Sequence, residues 1–153
     1  MVAEFFDAIS NEIESWLQPL SGGKKIKIRI ANQPAGGKSG SGKNVIRIAM
    51  LRFGNDIRHA GFPQGAASDK LYNAFSFYVT IDGNDYRHTL ELIEEIAAMF
   101  ERKPFLQLKV TEHEYECGIS AIEVPLSDIN YFWMAQQCKH QPVLFYQARV
   151  SEV

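Results

Sequence analysis

At 153 residues the chain is long enough to bury one real core without disulfide or metal staples, and it fits a single domain, 1–153. Hydrophobic residues make up 46% and charged residues 22%, an ordinary globular balance, and no apolar run approaches the ~20 residues that span a bilayer. The net charge of −2 conceals an uneven distribution: nine Lys/Arg and one acid between Lys24 and Arg58, against eleven acids and four bases between Asp82 and Asp128.

In chain order, Phe5, Phe6, Ile9, Ile13, Trp16 and Leu17 recur at helical spacing among acids, which predicts an amphipathic helix ending before Pro19. Its acidic character is unlike a signal peptide, so synthesis and assembly in the cytoplasm are expected. "KKIKIRIAN" alternates Ile26, Ile28 and Ile30 with Lys25, Lys27 and Arg29, the pattern of a half-buried strand with a basic outer face.

The segment that follows, "PAGGKSGSGKNVIRI", places Gly37, Gly42 and Lys43 on the phosphate-cradling G-x-x-x-x-G-K pattern. Such a loop needs a helix starting at its lysine and a Ser or Thr directly after it. Here Asn44 follows, and then Val45, Ile46 and Ile48 in strand spacing. The match is read as accidental, and residues 32–43 as a long hairpin connection rich in Gly, Ser and Lys.

"NVIRIAMLRF" is expected to be a strand, and residues 54–70 a second long irregular segment. "LYNAFSFYVTI" gives an aromatic strand whose Phe75 and Phe77 suit a core better than a nucleic-acid stacking platform. After the turn at Asp82-Gly83, Asn84 or Asp85 caps a helix with the apolar stripe Leu90, Ile93, Ile96, Ala97 and Phe100, stopped by Pro104. "FLQLKV" and "ISAIEV" read as strands flanking the acidic "TEHEYECG". Ser127 is expected to cap a short helix from Asp128 to about Cys138, and "VLFYQARVSEV" closes the chain as a strand. This order predicts an α+β layer fold with a mixed, mostly antiparallel sheet packed by about three helices.

Candidate chemistry is sparse. His113, Cys117, Cys138 and His140 supply zinc-type donors, but in H-x3-C and C-x-H spacing rather than knuckle spacing. Glu112, Glu114 and Glu116 alternate as a solvated strand face does. His59 and His88 have no partner pattern. No catalytic constellation, cofactor site or metal site is expected. The basic segment 24–58 leaves a nucleic-acid-binding or phosphate-binding module as the alternative function.

The second half resembles a family. "YNAFSFYVTI", then "HTLELIEEIAAMFERKPFL", then "IEVPLSDINYFWMAQQCKHQPVLFYQARVSEV" are similar to the cap or tail-terminator proteins of contractile injection systems, particles related to contractile phage tails. The last segment carries most of the likeness: Pro125-Leu126-Ser127, a helix with Trp133, then a closing strand with Tyr146 and Arg149-Val150. Leu144-Phe145 and the long insertion at 34–43 depart from the pattern. The resemblance implies a non-enzymatic α+β subunit that forms a sixfold ring at the distal end of the tube and stops polymerisation of tube or sheath. It implies as partners further copies of the chain and the particle's tube and sheath proteins, with neither nucleic acid nor a membrane.

A ring joined head to tail needs two complementary surfaces on each subunit, and the charge division offers them. The candidate interface residues are Lys24, Lys25, Lys27, Arg29, Lys38, Lys43, Arg47, Arg52 and Arg58 on the basic side. Glu112, Glu114 and Glu116 stand on the acidic side.

Overall fold

A computed structural model describes residues 2–20, 27–30, 44–55, 73–83, 85–136 and 141–153. The elements are α1 (Val2–Leu17) with a 3-10 turn at Gln18–Leu20, β1 (Lys27–Ile30), β2 (Val45–Asn55), β3 (Asn73–Asp82), α2 (Tyr86–Arg102), β4 (Phe105–Val110), β5 (His113–Ala121), α3 (Leu126–Gln136) and β6 (Val143–Glu152). The strands form one six-stranded sheet in the order β1-β2-β3-β6-β5-β4. All neighbours are antiparallel except β1 and β2. The predicted mixed, mostly antiparallel α+β architecture with three helices is therefore what the described residues adopt.

Alternation along the central strands decides how the layers stack. Phe75, Phe77, Val79 and Ile81 of β3 share one face with Ile46 and Ile48 of β2 and with Tyr146, Ala148 and Val150 of β6, all buried. Helices α1 and α2 cover this inner face. Phe5 meets Phe75 and Phe77 edge-on, with ring centroids 4.5 and 5.5 Å apart, and Phe100 lies 4.4 Å from Tyr146. Aromatic pairs in such tilted geometries add about 0.5–1.5 kcal/mol each beyond area burial. At 16 residues α1 is about 24 Å long, the width of six strands, and it approaches both outermost strands.

Among the described residues the outer face is covered only in part. Phe132 of α3 packs against Tyr78 and Phe145, at 5.0 and 5.4 Å, and Trp133 is buried. This explains why β3 is buried on both faces: Tyr78 and Thr80 belong to the α3 side, and Thr80 Oγ1 donates to the Pro142 carbonyl at 3.0 Å.

Four local expectations change. Because β1 and β2 run parallel, residues 31–44 cannot be a hairpin connection; parallel neighbours require a crossover, and residues 31–43 themselves lie outside the described set. The buried stripe of α2 is Thr89, Leu92, Ile96, Met99 and Phe100, while Leu90 is exposed, so the helix is turned relative to the predicted stripe. The acidic stretch is part of β5, joined to β4 by the two-residue turn Thr111-Glu112, with Thr111 at φ 56°. Helix α3 begins at Leu126, and the Pro125 carbonyl accepts from the amides of Asp128 and Ile129, so Ser127 is inside the helix rather than its cap. At α2 the expected cap is present: the Asp85 carboxylate accepts from the Arg87 and His88 amides.

Candidate assembly interface

The strand after residue 44 removes the geometric basis of the nucleotide-loop reading, since no helix N-terminus stands there. Asn44, at the position where such a loop needs a magnesium-binding hydroxyl, lies against the turn at Gly83. A Cβ at Gly83 would collide with the Asn44 side-chain oxygen, so a larger residue there would have to displace the Asn44 side chain. Phe75, Phe77 and Tyr78 are all buried, which leaves none of them as a stacking platform.

His113 and Cys117 do not converge on a metal position. They stand four residues apart on β5, about 13 Å along an extended strand. Cys117 is fully buried and burial alone pushes its thiol up to about 12, whereas His113 is exposed and its Nδ1 lies 2.8 Å from Glu152 Oε1. Cys138, His140 and His59 lie outside the described residues. His88, on the first turn of α2, sits 3.5 Å from Glu91. Among the described residues no three metal-ligating side chains come together.

Of the basic candidates, Lys24, Lys25, Lys38, Lys43 and Arg58 also fall outside the described residues. Lys27 and Arg29 lie on β1, and Arg52 on β2 just after the register shift that begins at Met50. Arg47 differs from the surface role expected of it. On the interior strand β2, opposite Thr80, it is 7% exposed, and its guanidinium faces Asp82 at 4.0 Å. Its charge is thus spent inside this chain rather than on its surface. The Arg47 Nε has no hydrogen-bond partner among the described residues.

The acidic candidates do reach solvent. Glu112 sits in the β4–β5 turn, and Glu114 and Glu116 project from β5 on the outer face, opposite Lys109 and Gln107 of β4. Phe105 of β4 is 65% exposed; its ring lies over Gly118 of β5, where a side-chain carbon would stand 3.6 Å from it. Arg149 completes this exposed polar area, beyond the part of the sheet that α3 covers.

Sequence reasoning missed a feature beside β4. A cavity of about 330 Å³ is lined by Glu12 of α1, Met99 of α2, Lys103, and Phe105, Leu106 and Gln107 of β4. Lys103 Nζ donates to Glu12 Oε2 at 3.2 Å across it. Nearby, the Trp16 ring receives the Arg102 guanidinium and the Lys103 ammonium at 5.7 and 6.0 Å, while its Nε1 donates to Glu95. The separate helices and strand that build this wall carry no joint sequence signal.

No protein-family model matches the chain. Nor does any curated protein. Solved structures do. The sheath/tube terminator of the extracellular contractile injection system PVC, in its extended state, superposes with a TM-score of 0.69 at 14% identity. That match covers 100% of this chain and 57% of the terminator chain. The cap of the anti-feeding prophage, a tube-terminating cap, matches with a TM-score of 0.60 at 12% identity, over 97% of this chain and 54% of the cap chain. The chain thus spans a little over half the length of the proteins it matches, and it carries along its whole length the fold of contractile-injection-system terminators and caps.

Proposed function

We propose that this chain is a terminator subunit of a contractile, phage-tail-like particle. It would form a ring at the distal end of the tube, stop polymerisation of tube or sheath there, and contact both proteins. The observation that carries this reading is agreement along 97–100% of the chain with two solved proteins that share one role, termination of a tube or sheath. A structural rather than enzymatic role accords with it.

In this reading subunits join head to tail, six to a ring to match the tube. The basic residues Lys24, Lys25, Lys27, Arg29, Lys38, Lys43, Arg52 and Arg58 of one subunit face Glu112, Glu114 and Glu116 of the next. Such rim charges steer and orient, and salt weakens them, so apolar contacts supply most of the affinity. Deleting the gene in a particle-producing strain is the test. Electron microscopy should then show tubes of broad and increased length; an unchanged, narrow length distribution overturns the proposal.

A further inference from the structure

We propose that the free edge of β4 takes up β1 of a second copy of this chain as an added strand. The inference rests on the terminator reading to the extent that particle assembly brings the copies together.

Among the described residues β1 and β4 are the two outermost strands of the sheet. The Ile119 amide donates to the Pro104 carbonyl at 2.7 Å, which fixes the phase of the β4–β5 ladder. Hydrogen-bonded pairs alternate in an antiparallel ladder, so Leu106, Leu108 and Val110 bond to β5. The N–H and C=O groups of Phe105, Gln107 and Lys109 therefore point away from it, and no strand of the described residues meets them. Edges are normally blunted by proline, by a bulge or by several charges. β4 contains no proline, its register with β5 is unbroken, and Lys109 is its one charged residue.

The cavity gives the edge its selectivity. Strand addition gains affinity from main-chain bonds and specificity from pockets that receive alternate side chains. A strand laid along β4 would present every second side chain to the cavity, where Met99 and Leu106 offer apolar wall and the Glu12 carboxylate is already engaged by Lys103. The intervening side chains would fall on the outer face beside Phe105, Gln107 and Lys109, two strand spacings (about 10 Å) from Glu114 and Glu116, which long basic side chains can span.

An alternating apolar and basic strand answers both demands, and "KIRI", Lys27–Ile30, is such a strand at the sheet's opposite edge. Joining two different edges of the same sheet makes a heterologous contact, the kind from which rings are built.

The experiment uses particles assembled with the full chain. In a Cys138→Ser background, Arg29→Cys and Lys109→Cys are combined in one chain and the purified particles are oxidised. A ladder of covalent multimers of this chain is expected. A monomer band alone, or a cross-link from position 109 to a different protein, overturns the proposal. A second variant, Gln107→Pro, removes an outward amide without touching the β4–β5 ladder. It should melt within about 3 °C of wild type yet fail to enter particles. If Gln107→Pro restores tube length in the deletion strain as fully as wild type, strand addition falls and the terminator reading stands. If deletion itself leaves tube length unchanged, the terminator reading falls, and cross-linking still decides whether the copies join in this way.

Discussion

The two faces of the sheet are built from the same strands and do different work. On the inner face Ile46, Ile48, Phe75, Phe77, Val79 and Tyr146 are sealed beneath α1 and α2. On the outer face α3 covers Tyr78 and Phe145, and the β4–β5 region is left with Gln107, Lys109, Glu114 and Glu116 exposed around the Phe105 ring. The difference teaches that the core and the exposed surface of this chain are built from separable sets of side chains. Side chains can change on the uncovered outer face with little effect on folding, while the inner face tolerates few changes.

The largest expected effect tests the sealed side. Phe77→Ala empties space between Phe5, Phe100 and Tyr146, and should cost about 3–5 kcal/mol in chemical denaturation. A loss under about 1 kcal/mol would mean that the inner face is not the principal core.

A smaller effect follows from the Cys117 thiol, raised from 9.0 to about 12 by burial on that same side. The unfolded chain ionises first, so the stabilisation is complete below pH 9 and declines as pH rises toward 12. The slope is at most about 1.4 kcal/mol per pH unit. In a Cys138→Ser background, alkylation at pH 8 should be slow in the folded protein and rapid in denaturant. Equal rates would place Cys117 at the surface.

The smallest effect lies outside: Glu114→Gln with Glu116→Gln should alter folding stability by no more than about 0.5 kcal/mol. The pair should nevertheless weaken assembly at low salt more than at high salt. A large folding defect would erase the distinction between the faces.

Much of this architecture is legible in the residues because single elements carry single periodicities. Of the predicted stripe of α1, Phe5, Phe6, Ile9, Ile13 and Leu17 are buried and Trp16 is partly buried against the core. Helix α2 shows where legibility stops. "LELIEEIAAMF" holds two overlapping apolar stripes, one through Leu90 and Ile93, the other through Leu92 and Met99. The sheet beneath selects the second, leaving Ile93 partly buried and Leu90 outside. The Thr111-Glu112 turn was hidden for another reason: it reverses the chain with a positive φ at a threonine, without the Gly or Asn that advertises such turns.

The candidate interface divides in the same way. Periodicity alone places Glu114 and Glu116 on one side of a strand, and both are exposed on β5. Arg47 obeys an equally plain alternation, yet it is buried opposite Thr80 beside Asp82, because β2 is an interior strand flanked by β1 and β3. Alternation is a local property, set by the two-residue repeat of an extended chain. Which of the two faces meets solvent, which strands become edges, and whether neighbours run parallel are decided by contacts between residues far apart in sequence. Those contacts turned a predicted hairpin into the parallel pair β1–β2 and brought Glu12, Met99 and Leu106 together around one cavity.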